Sequence, residues 1–250
     1  MKKNCEIAEE IRPCQTTGGR QLYHFRNKTG QVQIAEYNVF PGIWLTFKDA
    51  HIRSFEYPTN YPENLLEITH CREGRLEYEA GERFFYLGKG DLSIHRSEGS
   101  RATLHCPTRC YHGLSLIIDL EAAPYCASCL LADVEVKPQV LADKFCPEGG
   151  HFIMRSTPQL GHIFSELYSV PSHIRRGYFK VKALELLLFL AGVEPAASQE
   201  KRQACTRAQL SLAREVLAYV REHKGERLTT HQLAAPFQVS EDQLRRCFTG

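Results

Sequence analysis

The last 45 residues of the chain repeat one helix-start signal three times, and this repetition limits the segment to a small helical fold. Thr206, Thr229 and Ser240 each stand three residues before a glutamine. At this spacing the hydroxyl accepts a hydrogen bond from the glutamine backbone amide, and the glutamine side chain accepts one from the amide of the hydroxyl residue. The pattern predicts three helices, each beginning just after one of these capping residues.

The first of these helices has an apolar stripe and a glycine stop signal. The apolar residues that recur at helical spacing on one face are Leu210, Ala213, Leu217 and Val220. Gly225 follows the pattern, and a residue that tolerates the left-handed conformation commonly ends a helix. The sequence therefore predicts an amphipathic helix that packs through this face and stops at Gly225.

The second and third helices are separated by a very short turn. Only residues 237–239 lie between them, and Gln238 takes a left-handed turn position that glycine or asparagine would adopt at lower cost. Pro236 lacks an amide hydrogen and is expected to shorten the second helix. Two helices joined in this way, with Arg245 and Arg246 on the last one, predict a helix-turn-helix whose final helix enters the DNA major groove.

Residues 228–250 read LTTHQLAAPFQVSEDQLRRCFTG and resemble the first helix-turn-helix of the AraC/XylS family of bacterial transcriptional regulators. The matching positions are Leu228, Leu233, Ala234, Phe237, Val239, Ser240, Leu244, Arg246 and Phe248. The resemblance continues in residues 65–78, 86–94 and 111–120, which are similar to the sensor part of a subset of the family. Family members also carry a linker helix and a second helix-turn-helix, so the resemblance implies a fragment or DNA binding by half of the usual apparatus.

The outward face of the last helix supplies the candidate DNA contacts. If Leu244 and Phe248 point into the core, their neighbours point outward, and the resemblance places Arg246 at the groove as well. The predicted DNA-binding residues are Asp242, Gln243, Arg245 and Arg246. Arginine can read guanine through two hydrogen bonds or neutralise a phosphate. The alternative is that Arg246 pairs with a carboxylate such as Glu241 and only supports the fold.

The charge distribution distinguishes the two ends of the chain. The net charge is only +2, but residues 201–250 hold nine Lys and Arg against five Asp and Glu. A basic end on a slightly acidic body fits a DNA-contacting end and a sensing body. A solvated helical face would produce the same mild asymmetry.

No targeting or membrane segment is recognisable in the sequence. No apolar run follows Met1, and the apolar stretch at 186–192 is too short to cross a bilayer. We therefore expect a cytoplasmic protein with no membrane partner, whose ten cysteines are mostly free thiols.

Residues 31–120 carry strand-like alternation with frequent turn signals. Leu66, Ile68 and His70 alternate with more polar neighbours, and turns are predicted at Glu73–Gly74 and at 88–91. Several short strands of this kind predict a sandwich or a barrel. The family resemblance implies a cupin-like β-barrel, a fold that commonly holds a small ligand inside.

A ligand inside such a barrel would be contacted by apolar and aromatic side chains. The candidate ligand-binding residues are Phe55, Tyr57, Tyr61, His70 and Tyr78. For each of them, packing in the core is the alternative interpretation.

Residues 158–192 predict two helices separated by Pro171 and Ser172. The second helix, at about 174–191, is apolar on nearly every face, which indicates burial against the barrel. The family resemblance implies that it also pairs two subunits. The predicted domains are a β-barrel sensor at 1–155, a helical coupling or dimerisation element at 156–193, a linker at 194–205 and the helix-turn-helix at 206–250.

The cysteines and histidines form no recognisable metal signature. The residues weighed for metal or redox chemistry are Cys106, Cys110, Cys126, Cys129, Cys146, His105, His112 and His151. A structural zinc site usually takes two tight pairs, and only the CxxC pair of Cys126 and Cys129 is present. We therefore expect scattered thiols and no metal, with a zinc site or a redox thiol pair as alternatives. Metal-dependent cupin enzymes carry a His-x-His pair, which this sequence lacks.

The sequence indicates an α+β protein with a cupin-like β-barrel sensor, a helical coupling element and an all-α helix-turn-helix. We interpret it as a sequence-specific transcriptional regulator, not an enzyme, with no catalytic residues and no cofactor. The expected partners are a double-stranded DNA operator, a small organic effector and a second copy of the chain, with RNA polymerase as a further candidate. The alternatives are a ligand-binding or dimerising protein without competent DNA binding, and a cupin-type enzyme.

Overall fold

In the computed structural model of the protein, the described residues are 15–17, 19–56, 64–80, 83–97, 103–127, 134–147, 150–195, 205–225 and 227–248. The chain divides into two compact units. The larger comprises Met1–Leu76 and Leu87–Glu200, and the smaller comprises Glu77–Tyr86 and Lys201–Gly250. Residues 77–86, which lie within the stretch predicted as the sensor, belong to the same unit as the C-terminal helices. The domain boundary at 155/156 stays a prediction.

The described residues form twelve β-strands. Their bounds are Gln15–Thr17 (β1), Arg20–Asn27 (β2), Gly30–Phe40 (β3), Ile43–His51 (β4), Ser54–Glu56 (β5), Leu65–Ala80 (β6), Arg83–Gly88 (β7), Asp91–Ser97 (β8), Thr103–His105 (β9), Tyr111–Asp119 (β10), His151–Arg155 (β11) and Cys205–Thr206 (β12). The predicted turn at 88–91 is present between β7 and β8. The β-rich character predicted for residues 31–120 is therefore confirmed.

The main sheet has the strand order β1-β2-β3-β4-β10-β6-β8-β11, with antiparallel pairing at every step. The strands at the two ends of this order, β1 and β11, are not paired with each other in the described part of the chain. Closing a barrel requires backbone hydrogen bonds across that seam. The predicted β-barrel is therefore corrected to an antiparallel sheet that stays open there.

Six α-helices have defined bounds within the described residues. They are Pro138–Phe145 (α1), Pro158–Tyr168 (α2), Arg175–Gly192 (α3), Arg207–Glu222 (α4), Thr230–Ala234 (α5) and Glu241–Phe248 (α6). The two helices predicted within 158–192 are confirmed as α2 and α3. A bilayer-spanning helix, which needs both length and sustained hydropathy, is absent from the described part of the chain.

One face of the sheet packs against α1, α2 and α3. Residues directly opposite on neighbouring strands share a face, so Leu45 of β4 and its partner Leu116 of β10 point the same way. Both are buried in one apolar cluster with residues of the three helices. The buried helical residues include Leu141, Phe145, Leu160, Ile163, Phe164, Leu167, Phe179, Ala183, Leu186, Leu187 and Leu190. The burial that the apolar second helix predicts is therefore confirmed.

The opposite face of the sheet carries a buried polar network. Lys48 Nζ lies 2.8 Å from Glu67 Oε1 and 2.9 Å from Ser115 Oγ. Thr69 Oγ1 donates to the same Glu67 oxygen at 3.0 Å and lies 2.8 Å from Ser115 Oγ. His95 Nε2 lies 3.7 Å from the second carboxylate oxygen of Glu67. Strands β4, β6, β8 and β10 are thus linked by side chains as well as by their backbones.

The predicted turn at Glu73–Gly74 is wrong, because both residues lie within strand β6, next to a β-bulge at Arg72. Strand β6 continues through these residues and shifts its register against β10 between His112 and Gly113. Gly74 has a φ of 83°, and a side chain there would overlap the carbonyl oxygen of Cys110. A turn and a strand position beside a bulge can both hold a glycine at positive φ, so they leave the same signal in the sequence.

In the smaller unit, α4, α5 and α6 enclose a small apolar core. Its buried residues are Val216, Ala234 and Leu244, with Leu212, Leu233, Phe237 and Val239 packed against them. The predicted packing face of the first helix is wrong in part, because Leu217 and Val220 are 46% and 38% exposed. Leu212 and Val216 also recur at helical spacing, and this second stripe is the one that contacts α5 and α6.

The local signals of the smaller unit are formed as predicted. Thr206, Thr229 and Ser240 all make their capping boxes. Gln238 adopts the left-handed conformation with φ 54° and ψ 37°, and Pro236 lies in a 3-10 turn at Ala235–Phe237 that follows α5. α4 ends at Glu222, slightly before the predicted stop at Gly225, and Gly225 itself has a φ of 107°.

The buried ion pair generates a prediction about stability. Burial alone would raise the pKa of Glu67, but Lys48, His95 and hydrogen bonds from Lys48 and Ser115 lower it to about 2. Lys48→Met leaves that charge without its partner and is expected to destabilise the fold by about 3–5 kcal/mol. The double change Lys48→Met with Glu67→Met is expected to recover most of the loss, as measured by chemical denaturation at neutral pH.

The pH dependence provides the control for this prediction. The folded pKa of Glu67 lies below its ordinary value of 4.5, so the stabilisation is present above pH 4.5 and is lost as the pH falls toward 2. The double variant is expected to flatten the stability curve over that window. A single variant as stable as the double variant would contradict the role given to the pair.

Candidate functional site

Helix α6 presents polar residues to solvent and one leucine to the core. Leu244 is 3% exposed, whereas the four predicted DNA-binding residues are exposed. These four are Asp242, Gln243, Arg245 and Arg246. Phe248 is 48% exposed, so the expectation that it points into the core is wrong. It lies in the last turn of α6, and Leu244 alone anchors the helix in the described apolar cluster.

The two arginines of α6 differ in their contacts within the protein. Arg245 Nη2 lies 3.4 Å from Glu241 Oε2, one helical turn earlier. Arg246 forms no ion pair with any residue in the described ranges. The pairing considered for Arg246 is therefore made by Arg245. An exposed pair of this kind contributes at most about 1 kcal/mol, so it leaves Arg245 available to a competing phosphate.

Gln243 and Asp242 have structural roles that compete with their predicted DNA contacts. Gln243 Oε1 accepts a hydrogen bond from the Ser240 amide at 2.9 Å, and Ser240 Oγ accepts one from the Gln243 amide at 3.2 Å. Asp242 lies in the first turn, where a negative charge stabilises a helix. Arg245 and Arg246 are therefore the side chains of α6 best suited to a polyanion.

The structure describes three of the five predicted ligand-binding residues, and none of these three lines the cavity of the larger unit. Of the five, Phe55, His70 and Tyr78 are buried, and Tyr57 and Tyr61 lie outside the described residues. His70 points to the helix-covered face of the sheet and stacks on Phe164 with ring centroids 4.1 Å apart. Burial lowers the pKa of His70 to about 4, so the ring is neutral at pH 7. Tyr78 belongs to the smaller unit and stacks on Phe85 at 5.7 Å.

A cavity of about 320 Å³ lies in the larger unit, between strands β2 and β3 and the start of α3. We call it the arginine pocket. Its walls include Arg20, Tyr37, Asn38, Arg175, Arg176 and Phe179. The rings of Tyr37 and Phe179 meet edge to face with centroids 5.0 Å apart. The volume falls in the range of small-molecule binding sites.

The arginine pocket is strongly cationic. It holds three guanidinium groups, and none of its lining residues is acidic. Arg175 Nη1 lies 3.5 Å from the Tyr37 hydroxyl, and Arg20 Nε is buried with no hydrogen-bond partner in the described structure. Arg175 and Arg176 are the first two residues of α3, so the positive end of that helix lies at the pocket. The arrangement can bind an anion.

Sequence reasoning missed the arginine pocket. Arg20 and the start of α3 are distant in the chain, and only the fold brings them together. The available signal was the Arg175-Arg176 pair at the start of a helix whose first turn holds no acidic residue.

Two of the buried thiols have raised pKa values. Burial raises the pKa of Cys71 to about 12 and that of Cys146 to about 11. A thiol of this kind is protonated at neutral pH and is a poor nucleophile. Cys129 lies outside the described residues, so the expectation of scattered thiols stays a prediction, with a zinc or redox pair at CxxC as its alternatives.

No family model matches the chain, and no curated protein matches it either. Among solved structures, the chain is similar to the AraC-like transcriptional activator CuxR, with a TM-score of 0.41 and 12% identity over 95% of this chain and 79% of that chain. It is also similar to unsaturated fatty acid bound ToxT from Vibrio cholerae, with a TM-score of 0.42 and 7% identity over 84% of this chain and 74% of that chain. An ethanolamine utilization protein from Salmonella typhimurium matches with a TM-score of 0.30 and 15% identity over 45% of this chain and 98% of that chain. All three TM-scores lie below 0.5.

Proposed function

We propose that the protein is a transcriptional regulator that binds double-stranded DNA through α6 and an anionic organic effector in the arginine pocket. The observation that carries the DNA-binding part is the helix-turn-helix of the smaller unit. There α6 buries one leucine and keeps two arginines in solvent. An α-helix fits the major groove of B-form DNA, where side chains can reach the edges of the bases.

The contacts around α6 suit it to be a rigid reading element. Leu244 fixes the rotation of the helix, and the Ser240 capping box fixes its start. With the helix held in this way, Arg246 can donate two hydrogen bonds to O6 and N7 of a guanine. Arg245 adds a phosphate contact once it leaves Glu241.

The effector is proposed from the chemistry of the arginine pocket. Three arginines, the start of α3 and the absence of an acidic lining residue favour a carboxylate, phosphate or sulfonate. The rings of Tyr37 and Phe179 offer an apolar wall for an aromatic or cyclic body. Binding there contacts α3 directly, so an effector that prefers one position of α3 shifts the protein toward that state.

A second copy of the chain is the proposed partner of α3. Val181 and Phe189 on its solvent side are 63% and 42% exposed, and the N-cap residue Ile174 just before the helix is 44% exposed. Their spacing of seven and eight residues places them on one stripe of the helix. Pairing of two such stripes would give two DNA-reading helices per particle, as a two-part operator requires.

The first test concerns Arg246. A duplex selected from a random library by the wild-type protein serves as operator, and affinity is measured by fluorescence anisotropy over a salt series. Arg246→Ala is expected to weaken binding by about 1–3 kcal/mol, and Arg246→Lys to lose most of the preference for the selected sequence while keeping the salt slope. Arg26→Ala, which removes an exposed arginine from β2, is the control for net charge.

The outcomes separate the competing functions. Equal losses for Arg246→Ala and Arg26→Ala would mean that α6 does not read DNA. Wild-type protein that shows no salt-dependent retention on any duplex would favour the ligand-binding or dimerising alternative.

The second test concerns the arginine pocket. Aromatic carboxylates such as 2-naphthoate are titrated calorimetrically against their neutral carboxamides. The carboxylates are expected to bind at least tenfold more tightly, because one charge-assisted hydrogen bond contributes about 1.5–3 kcal/mol. Arg175→Gln and Arg20→Gln are expected to remove this preference, and Arg26→Gln, also on β2, is expected to retain it. A preference that survives in both pocket variants would place the anion elsewhere.

The third test concerns self-association. Val181→Glu puts a charge in the exposed stripe of α3 and is expected to shift sedimentation toward the monomer while the melting temperature stays within a few degrees. Val140→Glu is the matched control, since Val140 is 56% exposed on α1. Wild-type protein that stays monomeric at high concentration, or equal effects of both changes, would contradict the dimer.

A further inference from the structure

A cluster of metal-binding side chain types lies at one end of strands β4 and β10. His51 ends β4, and Cys110 immediately precedes β10. In the register of these strands, Tyr111 pairs with Ala50 and His112 pairs with Asp49. Cys110 therefore stands opposite His51, next to the pair of His112 and Asp49. Directly opposite residues project from the same face, and so do residues two apart on one strand, which places all four side chains together.

The donor atoms of this cluster converge. One ligand atom each from His51, Cys110 and His112 lies within 4.8 Å of the other two. Two ligands of a tetrahedral zinc ion are about 3–4 Å apart, because the bonds are about 2.0–2.3 Å long. The side chains of His51 and His112 are 55% and 29% exposed, so they have room to close the remaining distance.

We propose that His51, Cys110 and His112 bind a divalent transition-metal ion, with Zn²⁺ as the best match. Two imidazoles and one thiolate are ligands that zinc accepts and that magnesium and calcium disfavour. Three protein ligands leave one coordination position for water or a small ligand. The site lies on the sheet of the larger unit and does not depend on the proposed DNA or effector binding.

Asp49 is placed to accept hydrogen bonds from the two histidine ligands, and such contacts orient the ligands of a metal site. Its Oδ1 lies 3.1 Å from His51 Nε2 and 3.3 Å from His112 Nδ1. A carboxylate that accepts a hydrogen bond from one ring nitrogen leaves the other nitrogen of each ring for the metal. One carboxylate thus orients both histidines. Asp49 is a positioning residue here, not a ligand.

The experiment uses the full chain, stripped of metal, reduced beforehand and then kept oxygen-free after the reductant has been removed. Co²⁺ is titrated into the protein, and Zn²⁺ is then added in competition. A thiolate ligand gives a cysteine-to-cobalt charge-transfer band in the near ultraviolet, which reports on sulfur coordination directly. Wild-type protein is expected to develop this band at one equivalent and to lose it when Zn²⁺ displaces Co²⁺.

Four variants locate the ion. Cys110→Ser is expected to abolish the band, and His112→Ala to weaken Co²⁺ binding by at least tenfold. Asp49→Asn is expected to weaken Zn²⁺ binding by about 10- to 100-fold while the band persists, as loss of an orienting carboxylate does. Cys126→Ser, which removes a thiol of the CxxC motif, is expected to leave both the band and the affinity unchanged.

The proposal is overturned if wild-type protein gives no band, or if the band survives Cys110→Ser. It is also overturned if Cys126→Ser abolishes the band, since the ion would then belong to the CxxC motif. A thermal shift provides an independent readout, because an ion that binds only the folded state raises the melting temperature. That rise is expected in the wild type and in Cys126→Ser, and its persistence in Cys110→Ser would again count against the site.

Discussion

The register of the main sheet is the constraint on which the larger unit depends, because the two faces of the sheet are buried in opposite chemical environments. Leu45 and Leu116 face an apolar layer of helices, whereas Lys48 and Glu67 form a buried ion pair on the other face. A slip of one residue in β4 would drive Lys48 among the leucines and Leu45 into the polar network. The burial pattern of each face specifies the register of β4, and the two faces together exclude a register shifted by one residue.

The same register assembles the sites of this unit. It sets His112 opposite Asp49 and Cys110 opposite His51, which brings donors from distant parts of the chain to one end of the sheet. It also places Tyr37 of β3 beside Phe179 of α3, where the arginine pocket lies. The buried middle of the sheet thus fixes the positions of the strands, and the side chains that can bind ligands lie at its edges.

Local signals in the sequence were sufficient wherever short-range contacts decide the structure. The three capping boxes, the left-handed Gln238 and the apolar character of α3 all follow from neighbours in the chain. Predictions from the sequence were wrong where one sequence pattern is compatible with two local structures. Gly74 suits a turn or a strand position beside a bulge equally well. Helix α4 carries two apolar stripes, and only contact with α5 and α6 selects one of them.

The candidate sites divide in the same way. Arg245 and Arg246 could be predicted because the helix that carries them is defined by adjacent residues. The arginine pocket and the cluster of His51, Cys110 and His112 could not, since each depends on pairing between distant strands and helices. His70 shows most clearly what the sequence pattern leaves undetermined. Its alternation with Thr69 identified a strand, but which side faces the helices is decided by packing against Phe164.

The start of α6 has consequences for how a DNA-reading helix of this kind would discriminate between sequences. Glu241 and Asp242 stabilise the first turn of α6, and they also repel phosphate. Gln243 is held by Ser240 in the capping box. The positive end of the helix is therefore masked, and attraction to the DNA backbone falls to the arginines one turn later. A helix with weak general attraction to phosphate gains relatively more from a correct base contact. If α6 enters the groove, its preference for one sequence should then depend chiefly on Arg246, whose guanidinium is held by no ion pair within the described structure.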